Sequence, residues 1–164
     1  ITDMAKREGF KIGIKFVRGA YMEKERKRAA EGGYADPINP TKEDTDLSFD
    51  KAIEYSVENI EIVQVFCGTH DENSVLNLVN LIEKHNLPKN DSRIWFSQLY
   101  GMRDNISFNL AAEGYNVAKY LPYGPVKDVM PYLVRRAEEN SSIGSQAGEE
   151  IRMLKEEVSK VRSA

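Results

Sequence analysis

The chain has 164 residues, of which 41% are hydrophobic and 30% are charged, and its formal net charge is −3. This length is sufficient for one domain with a hydrophobic core and is short for two. The near balance of acidic and basic residues gives no electrostatic basis for binding nucleic acid and only a weak one for binding an anionic membrane. The composition therefore predicts one domain in which any bound anion is held by local residues.

The single cysteine, Cys67, excludes an internal disulfide. It lies in an apolar run typical of a strand, so a buried thiol in a reducing compartment is predicted. No apolar run is long enough to cross a membrane, and the first residues lack the order of a signal peptide. The chain opens without methionine inside a predicted helix, which is typical of a piece of a longer protein.

Four predicted strands alternate with helices along the chain. Period-two alternation indicates the first strand, in which Ile12, Ile14 and Phe16 share one face and Lys15 lies on the other. Glycine and proline residues end the helices. Strands are predicted at residues 11–17, 62–67, 94–99 and 116–121. Helices are predicted at residues 2–8, 22–31, 47–60, 73–85, 106–113, 126–139 and 148–162.

The alternation of strands and helices predicts parallel strands joined by helical crossovers, and hence an α/β fold. Four near-equal strand–helix units occupy residues 11–142, and they suit either a doubly wound sheet or half of an eightfold barrel. No glycine-rich nucleotide fingerprint follows any of the strands. The segment at residues 148–162 is predicted to be a docked terminal helix.

Candidate site residues follow the strands, because barrels of this class carry function on the loops at the carboxyl ends of their strands. Each loop combines a polar or aromatic residue with a glycine that permits close backbone approach. Lys15 is expected to point into the barrel, with a lysine at a sheet edge as an equal alternative. His70 is either a cofactor donor or a capping or core residue. The loops are residues 18–21, 68–70, 98–102 and 120–124.

The helix at residues 126–139 carries arginine on its apolar stripe. That stripe consists of Val126, Val129, Leu133, Arg136 and Asn140. A charge aimed at the core costs several kcal/mol unless it is paired. Either Glu139 pairs with Arg135 or Arg136, or the two arginines bind the carboxylate or phosphate of a ligand.

Five motifs in this order resemble the serial motifs of the proline dehydrogenase family. They are VRGAYM at 17–22, GTH at 68–70, QLYGM at 98–102, YLPYG at 120–124, and LVRR at 133–136 with Glu139 and Asn140. The resemblance runs from about residue 11 to 142. It implies a distorted TIM-like (β/α)8 barrel with noncovalent FAD and no metal, in which these strands are the fifth to the eighth, the C-terminal half.

The resemblance also assigns cofactor contacts. Lys15 stands where a basic residue contacts the flavin near its reactive nitrogen, and Arg18, Gly19 and Ala20 line the FAD phosphates and ribityl chain. Many bacterial members have arginine at the Lys15 position. This chain therefore keeps a cation there but lacks the planar guanidinium group, which can donate two parallel hydrogen bonds. Further contacts are implied at Thr69, His70 and Gln98, with Thr41 and Lys42 near the adenosine end.

The implied reaction is oxidation of L-proline to 1-pyrroline-5-carboxylate, with hydride passing to the flavin and electrons to a membrane quinone, as in proline catabolism. Tyr120 matches a tyrosine that packs on the proline ring, and Arg135 and Arg136 match the pair that holds the carboxylate. We hypothesise that Tyr120 also disfavours 4-hydroxyproline. The implied catalytic residues are Lys15, Tyr120, Arg135 and Arg136, and the implied substrate-binding residues are Leu99, Tyr120, Arg135, Arg136 and Glu139.

Three alternatives stay open at this point. One is a hydroxyproline dehydrogenase, against which Tyr120 argues, and another is a phosphate-binding or lysine Schiff-base barrel. The third is an inactive half-barrel module that self-associates or pairs with the missing half through the open edges at residues 11–17 and 117–121. The resemblance implies peripheral membrane association, at the cytoplasmic side of a bacterial membrane or in the mitochondrial matrix.

Overall fold

The structure is a computed structural model that describes residues 1–19 and 21–142, without the side chains of residues 135–142. The chain divides into two compact units, Ile1–Leu121 and Pro122–Ala164. The single domain expected over residues 1–164 stays a prediction. The helices are α1 (Thr2–Glu8), α2 (Met22–Gly32), α3 (Lys42–Glu58), α4 (Glu72–Lys84), α5 (Asp104–Ala112) and α6 (Val126–Ser142). The strands are β1 (Ile12–Phe16), β2 (Val63–Gly68), β3 (Ile94–Leu99) and β4 (Val117–Tyr120).

The four strands form one parallel sheet in the order β1-β2-β3-β4. The register pairs Phe16 with Cys67 between β1 and β2, and Leu99 with Tyr120 between β3 and β4. Strands that are consecutive in sequence are neighbours in the sheet and run parallel. Each connection therefore crosses from the carboxyl end of one strand to the amino end of the next. The prediction of an α/β fold with four parallel strands is confirmed.

One face of the sheet is covered by helices. Alternating residues of β2 and β3 are buried on this face, and α3 and α4 pack their own apolar residues against them, as expected for strands under crossover helices. Phe16 contributes from β1 through an edge-to-face contact with Phe49 of α3, with ring centroids 6.4 Å apart. The most buried side chains include Ile53, Val57, Val63, Val65, Cys67, Leu78, Ile82, Ile94 and Phe96.

The opposite face of the sheet is exposed over much of its area. Lys15 of β1 and Gln64 of β2 are exposed there, and the exposed fractions of Trp95 and Tyr120 are 37% and 44%. Lys15 therefore projects from the face opposite the helices, as the alternation of β1 predicted. None of the helices in the described part of the chain combines the length and the apolar character that a bilayer span requires.

A cluster of charged and polar side chains lies where the strands of the sheet begin, next to the start of β3. The Asp91 carboxylate accepts hydrogen bonds from Arg93 N, Nε and Nη2 at 2.9, 2.9 and 2.7 Å, and Arg93 Nη1 donates to Glu61 at 2.7 Å. Asn116, just before β4, donates to the backbone oxygen of Asp91 at 2.7 Å. These hydrogen bonds from Arg93 hold the pKa of Asp91 below its ordinary value. The cluster thus joins the starts of β2, β3 and β4.

Candidate functional site

The carboxyl ends of the strands meet at one edge of the sheet, where the loops at residues 18–19 and 68–70 lie side by side. Arg18 Nη2 donates a 2.6 Å hydrogen bond to Thr69 Oγ1, and Gln98 Nε2 donates to the backbone oxygen of Thr69 at 3.3 Å. The ends of β1, β2 and β3 are therefore connected through Thr69. These three predicted cofactor residues come together, as parallel pairing requires.

Arg18 is enclosed by side chains from two helices as well as from β2. Its guanidinium donates to the Asp46 carboxylate of α3 and, at 3.0 Å, to Ser74 Oγ of α4. The Asp71 carboxylate lies 3.9 Å away, and the guanidinium stacks 4.3 Å from the centroid of the Phe49 ring. Only 15% of the Arg18 side chain is exposed. Arg18 is thus a partly buried cation held in one orientation by several partners.

Asp46 lies between two cations at this edge. Lys42, one turn earlier on α3, also donates to its carboxylate. Burial raises the pKa of Asp46, but the hydrogen bonds from Lys42 and Arg18 outweigh it and the net pKa is lowered. The bond to Asp46 raises the pKa of Lys42 in turn. Asp46 and Lys42 therefore both carry their charges at neutral pH.

Lys15 lies on the open face of the sheet, between two aromatic rings. Its Nζ is 4.6 Å from the centroid of Tyr120 and 5.6 Å from that of Phe66, distances typical of cation–π contacts. Gly68 of β2 lies beside it, and a Cβ at that position would meet Lys15 Cε at 3.5 Å and Phe16 O at 3.0 Å. The missing side chain at Gly68 therefore leaves room for the lysine stem. Lys15 and Tyr120, both predicted to be catalytic, are brought together.

Gln98 and Lys119 form hydrogen bonds on the helix side of the sheet. Gln98 is 2% exposed, and Ser107 Oγ of α5 donates to its Oε1 at 2.8 Å. Lys119 Nζ donates to the backbone oxygen of Met102 and lies near Asp104 Oδ1, both at 2.7 Å. Through these hydrogen bonds Gln98 connects α5 to the loop after β2. Its predicted contact with the cofactor stays a prediction.

The remaining described site residues lie along the same edge. Leu99 is 9% exposed and is paired in register with Tyr120, and Tyr100 N donates to Tyr120 O at 2.9 Å, which continues the β3–β4 pairing. His70 is half-buried directly after Thr69. Gly19 adopts a left-handed φ of 70°, a conformation that favours glycine. Their cofactor and substrate roles stay predictions.

Several predicted residues lie outside the described part of the structure. Ala20 is one of them, and so are the side chains of Arg135, Arg136, Glu139 and Asn140 and the helix predicted at residues 148–162. The backbone of α6 does extend through these arginines to Ser142. Along its predicted apolar stripe Val129 is half-buried, whereas Val126 is 75% and Leu133 is 38% exposed. Two of the three described members of the stripe are therefore exposed, and the burial expected of Arg136 stays a prediction.

The sequence reasoning missed four residues that shape this edge. They are Asp46, Phe49, Ser74 and Lys119, of which the first three contact Arg18. One sequence signal was available, since Lys42 and Asp46 are four residues apart and so share a helix face. The contacts of Ser74 and Lys119 join residues distant in sequence and leave no local pattern.

Comparison with known proteins identifies the family of the chain. The sequence profile described as Proline dehydrogenase matches residues 1–149. The chain is 47% identical over 145 residues to human "Proline dehydrogenase 1, mitochondrial", covering 87% of this chain and 24% of that protein. It is 40% identical over 160 residues to "Hydroxyproline dehydrogenase" of Xenopus laevis, covering 95% of this chain and 34% of that protein.

A solved structure agrees with these sequence matches. Proline utilization A from Bdellovibrio bacteriovorus, inactivated by N-propargylglycine, superposes with a TM-score of 0.76 at 30% identity, covering 85% of this chain and 14% of that one. The chain spans about a quarter of the length of the proline dehydrogenases of human and Caenorhabditis elegans. The motifs, the parallel sheet and these matches agree, and the chain belongs to the proline dehydrogenase family.

Proposed function

We propose that this chain is the C-terminal half of a flavin-dependent barrel that oxidises L-proline to 1-pyrroline-5-carboxylate. The observation that carries the proposal is the Lys15–Tyr120 pair, in which the cation assigned to the flavin lies 4.6 Å from the ring assigned to the substrate. The two residues come from the first and last strands of the sheet and converge on its open face. Relatives named proline dehydrogenase support the choice of substrate.

The half-barrel reading is supported by the sheet itself. Its strands follow chain order, as in a (β/α)8 barrel, whereas a doubly wound sheet reverses its order at a switch point. The face that would line the barrel carries Lys15, Trp95 and Tyr120, all of them exposed. Strands β1 and β4 each have one unpaired edge within the described sheet. A preceding set of four strand–helix units would pair with both edges.

The described residues fit FAD by the chemistry of their donors. The diphosphate needs fixed cations and N–H groups, and Arg18 supplies a partly exposed guanidinium beside the hydroxyl of Thr69. Reduced flavin gains negative charge, which the amine of Lys15 is able to stabilise. Gly19, Ala20, His70 and Gln98 complete the proposed cofactor set.

The chemistry divides between cofactor and protein. FAD, when bound, accepts the electron pair and hydrogen that leave the ring carbon next to nitrogen, while the nitrogen loses a proton and a C=N bond forms. Tyr120 and Leu99 limit the position of the proline ring. The family resemblance assigns the substrate carboxylate to Arg135 and Arg136, and Glu139 is proposed as a further substrate-binding residue. A substrate held in one orientation reacts faster, because the entropy cost of aligning its reacting carbon is met on binding.

A second candidate, hydroxyproline oxidation, is favoured by the match to the Xenopus laevis hydroxyproline dehydrogenase. The extra hydroxyl needs space beside the ring, and the Tyr120 side chain occupies space on the open face. We therefore rank proline first. The family resemblance implies a quinone as electron acceptor and peripheral contact with a membrane, and the name of the human relative supports a mitochondrial location.

The test is a turnover assay on a full-length form, in which the chain is extended to the length of its relatives. Reduction of a soluble quinone is measured with L-proline or 4-hydroxyproline as substrate, and the products expected are 1-pyrroline-5-carboxylate and its 3-hydroxy derivative, respectively. Proline turnover that exceeds hydroxyproline turnover supports the proposal. A larger turnover of hydroxyproline would favour the second candidate, and no flavin-linked turnover of either would favour a phosphate-binding or Schiff-base barrel.

A further inference from the structure

We propose that Asp46 is a positioning residue, which holds the Arg18 guanidinium at the carboxyl edge of the sheet for an anionic group of the cofactor. This inference rests on the proposed function, because the anion in question is the diphosphate of FAD. It assigns a role to Asp46, a residue of α3 that none of the family motifs quoted above includes.

Three side chains accept hydrogen bonds from the Arg18 guanidinium. Asp46 binds Nη1 from α3, while Thr69 and Ser74 bind Nη2 from the end of β2 and from α4. The Phe49 ring supports the guanidinium plane at 4.3 Å. These contacts use part of the N–H donors of the fork, and 15% of the side chain remains exposed. Arg18 can therefore keep all of these partners and still donate outward.

Asp46 itself is held in position by a second cation. Lys42 binds the same carboxylate from one helical turn away, and 29% of the Asp46 side chain is exposed. A carboxylate fixed between two cations resists rotation better than one held by a single partner. Thr41 caps the helix here, because its Oγ1 accepts from Asp44 N at 3.0 Å. The start of α3 is thus ordered up to the point where it meets Arg18.

The fixed rotamer of Arg18 is expected to raise the affinity for FAD. A free arginine side chain has many rotamers, and binding an anion requires that most of them be given up. When Asp46 already selects one rotamer of Arg18, the side-chain entropy is lost during folding. This loss then no longer opposes cofactor binding. A competing effect has the opposite sign, because a carboxylate near a diphosphate repels it. We expect positioning to dominate, since Lys42 offsets the charge of Asp46.

The experiment measures the dissociation constant of FAD for variants of the full-length form, by titration of flavin absorbance. Asp46→Asn keeps the shape and removes the charge. We expect it to weaken FAD binding about tenfold, the size of effect expected from one charge-assisted hydrogen bond. Asp46→Glu restores the charge and should recover part of the affinity. Glu43→Gln is the matched control, an exposed acid of the first turn of α3, and should leave affinity unchanged.

A double-mutant cycle shows whether Asp46 acts through Arg18. Arg18→Gln should weaken FAD binding at least as much as Asp46→Asn, and the double variant should be no weaker than Arg18→Gln alone. Asp46→Asn should keep the far-ultraviolet circular dichroism spectrum of the wild type, because only the orientation of Arg18 is expected to change. A general structural defect would instead reduce the fraction of folded protein seen by circular dichroism.

The outcomes separate this inference from the proposed function. If the wild type binds FAD and oxidises proline but Asp46→Asn binds FAD as tightly or more tightly, the positioning role is wrong and charge repulsion dominates. Additive losses in the double variant would likewise contradict it, because they would mean that the two residues act independently. A wild type that takes up no FAD overturns the proposed function itself.

Discussion

The Nζ atom of Lys15 lies 4.6 Å from the centroid of the Tyr120 ring, which joins the first and last strands of the sheet across its open face. Contacts of this type contribute about 0.5–1 kcal/mol at exposed sites and more where water is excluded. The ring fixes where the ammonium group points. A substitution of Tyr120 is therefore expected to affect both the space beside the substrate and the orientation of the cation.

Replacing Tyr120 with serine should open space for a hydroxylated ring. We predict that Tyr120→Ser in the full-length form raises kcat/KM for 4-hydroxyproline relative to L-proline, because the bulk that opposes the hydroxyl is removed. Tyr120→Phe keeps the ring and the contact with Lys15, and should keep the selectivity of the wild type. Steady-state kinetics with both substrates provide the measurement. An unchanged selectivity in the serine variant would remove Tyr120 as the selectivity residue.

Gly68 is predicted to accept an alanine only with a loss of stability. A Cβ at this position would lie 3.0 Å from Phe16 O and 3.1 Å from Val17 Cγ1, and the backbone oxygen is not free to move. Gly68→Ala should lower the free energy of unfolding by about 1–3 kcal/mol, as overpacking does elsewhere. The control is Gly13→Ala on β1, where nothing lies within 4 Å of the added atom. Urea unfolding that shows equal stability for both variants would contradict the packing described here.

The Asp91–Arg93 pair should make stability depend on pH. The pKa of Asp91 is lowered in the folded state from an ordinary value of 3.8. A lowered folded pKa means that the stabilisation is complete above the ordinary value of 3.8 and is lost as the pH falls from there through the folded value. Asp91→Asn should therefore cost about 1–3 kcal/mol near pH 7, and the difference from wild type should shrink near pH 3.

Urea unfolding at the two pH values measures this difference. Glu58→Gln, a change at an exposed position of α3, serves as the control and should alter stability little at either pH. A difference between Asp91→Asn and wild type that stays constant with pH would show that the charge of Asp91 does not contribute.

Cys67 provides a probe of the core. It is completely buried, and burial raises the pKa of its thiol to about 12, so almost no thiolate is present at neutral pH. As the only cysteine in the chain, it should react very slowly with iodoacetamide in the folded protein and readily in urea. Mass spectrometry of the alkylated protein gives the labelled fraction. Rapid labelling without denaturant would mean that β2 is not in the core.

The extent to which the sequence predicted this fold depended on the kind of signal. All four strands were found from apolar runs and period-two alternation, because burial under helices imposes that pattern. The start of α3 was placed at residue 47, whereas it lies at Lys42. The first turn has no apolar residue to show a period, and its signal is the Thr41 cap. Asp46 lies in the part that was missed.

The candidate site was predicted unevenly for the same reason. Lys15 and Tyr120 were identified from strand alternation and family motifs, and the structure brings them together. Arg18 and Thr69 were also identified, but their mutual contact was not, and Asp46 and Ser74 were missed. Asp46, Thr69 and Ser74 are 28, 51 and 56 residues away from Arg18 in sequence. Such contacts depend on the register of neighbouring strands and the approach of two helices. A sequence pattern predicts on which face of a helix or strand a residue lies. It does not predict which distant residues contact that side chain.

The central claim is that this chain belongs to an enzyme in which proline passes electrons to a bound flavin. The most direct measurement is the visible spectrum of the full-length form, purified with FAD and titrated with L-proline in the absence of oxygen. We predict that the flavin absorbance bleaches in proportion to the proline added, and that Lys15→Met slows the bleaching because the stabilising cation is lost. A flavin that stays oxidised in the presence of saturating proline would contradict the account.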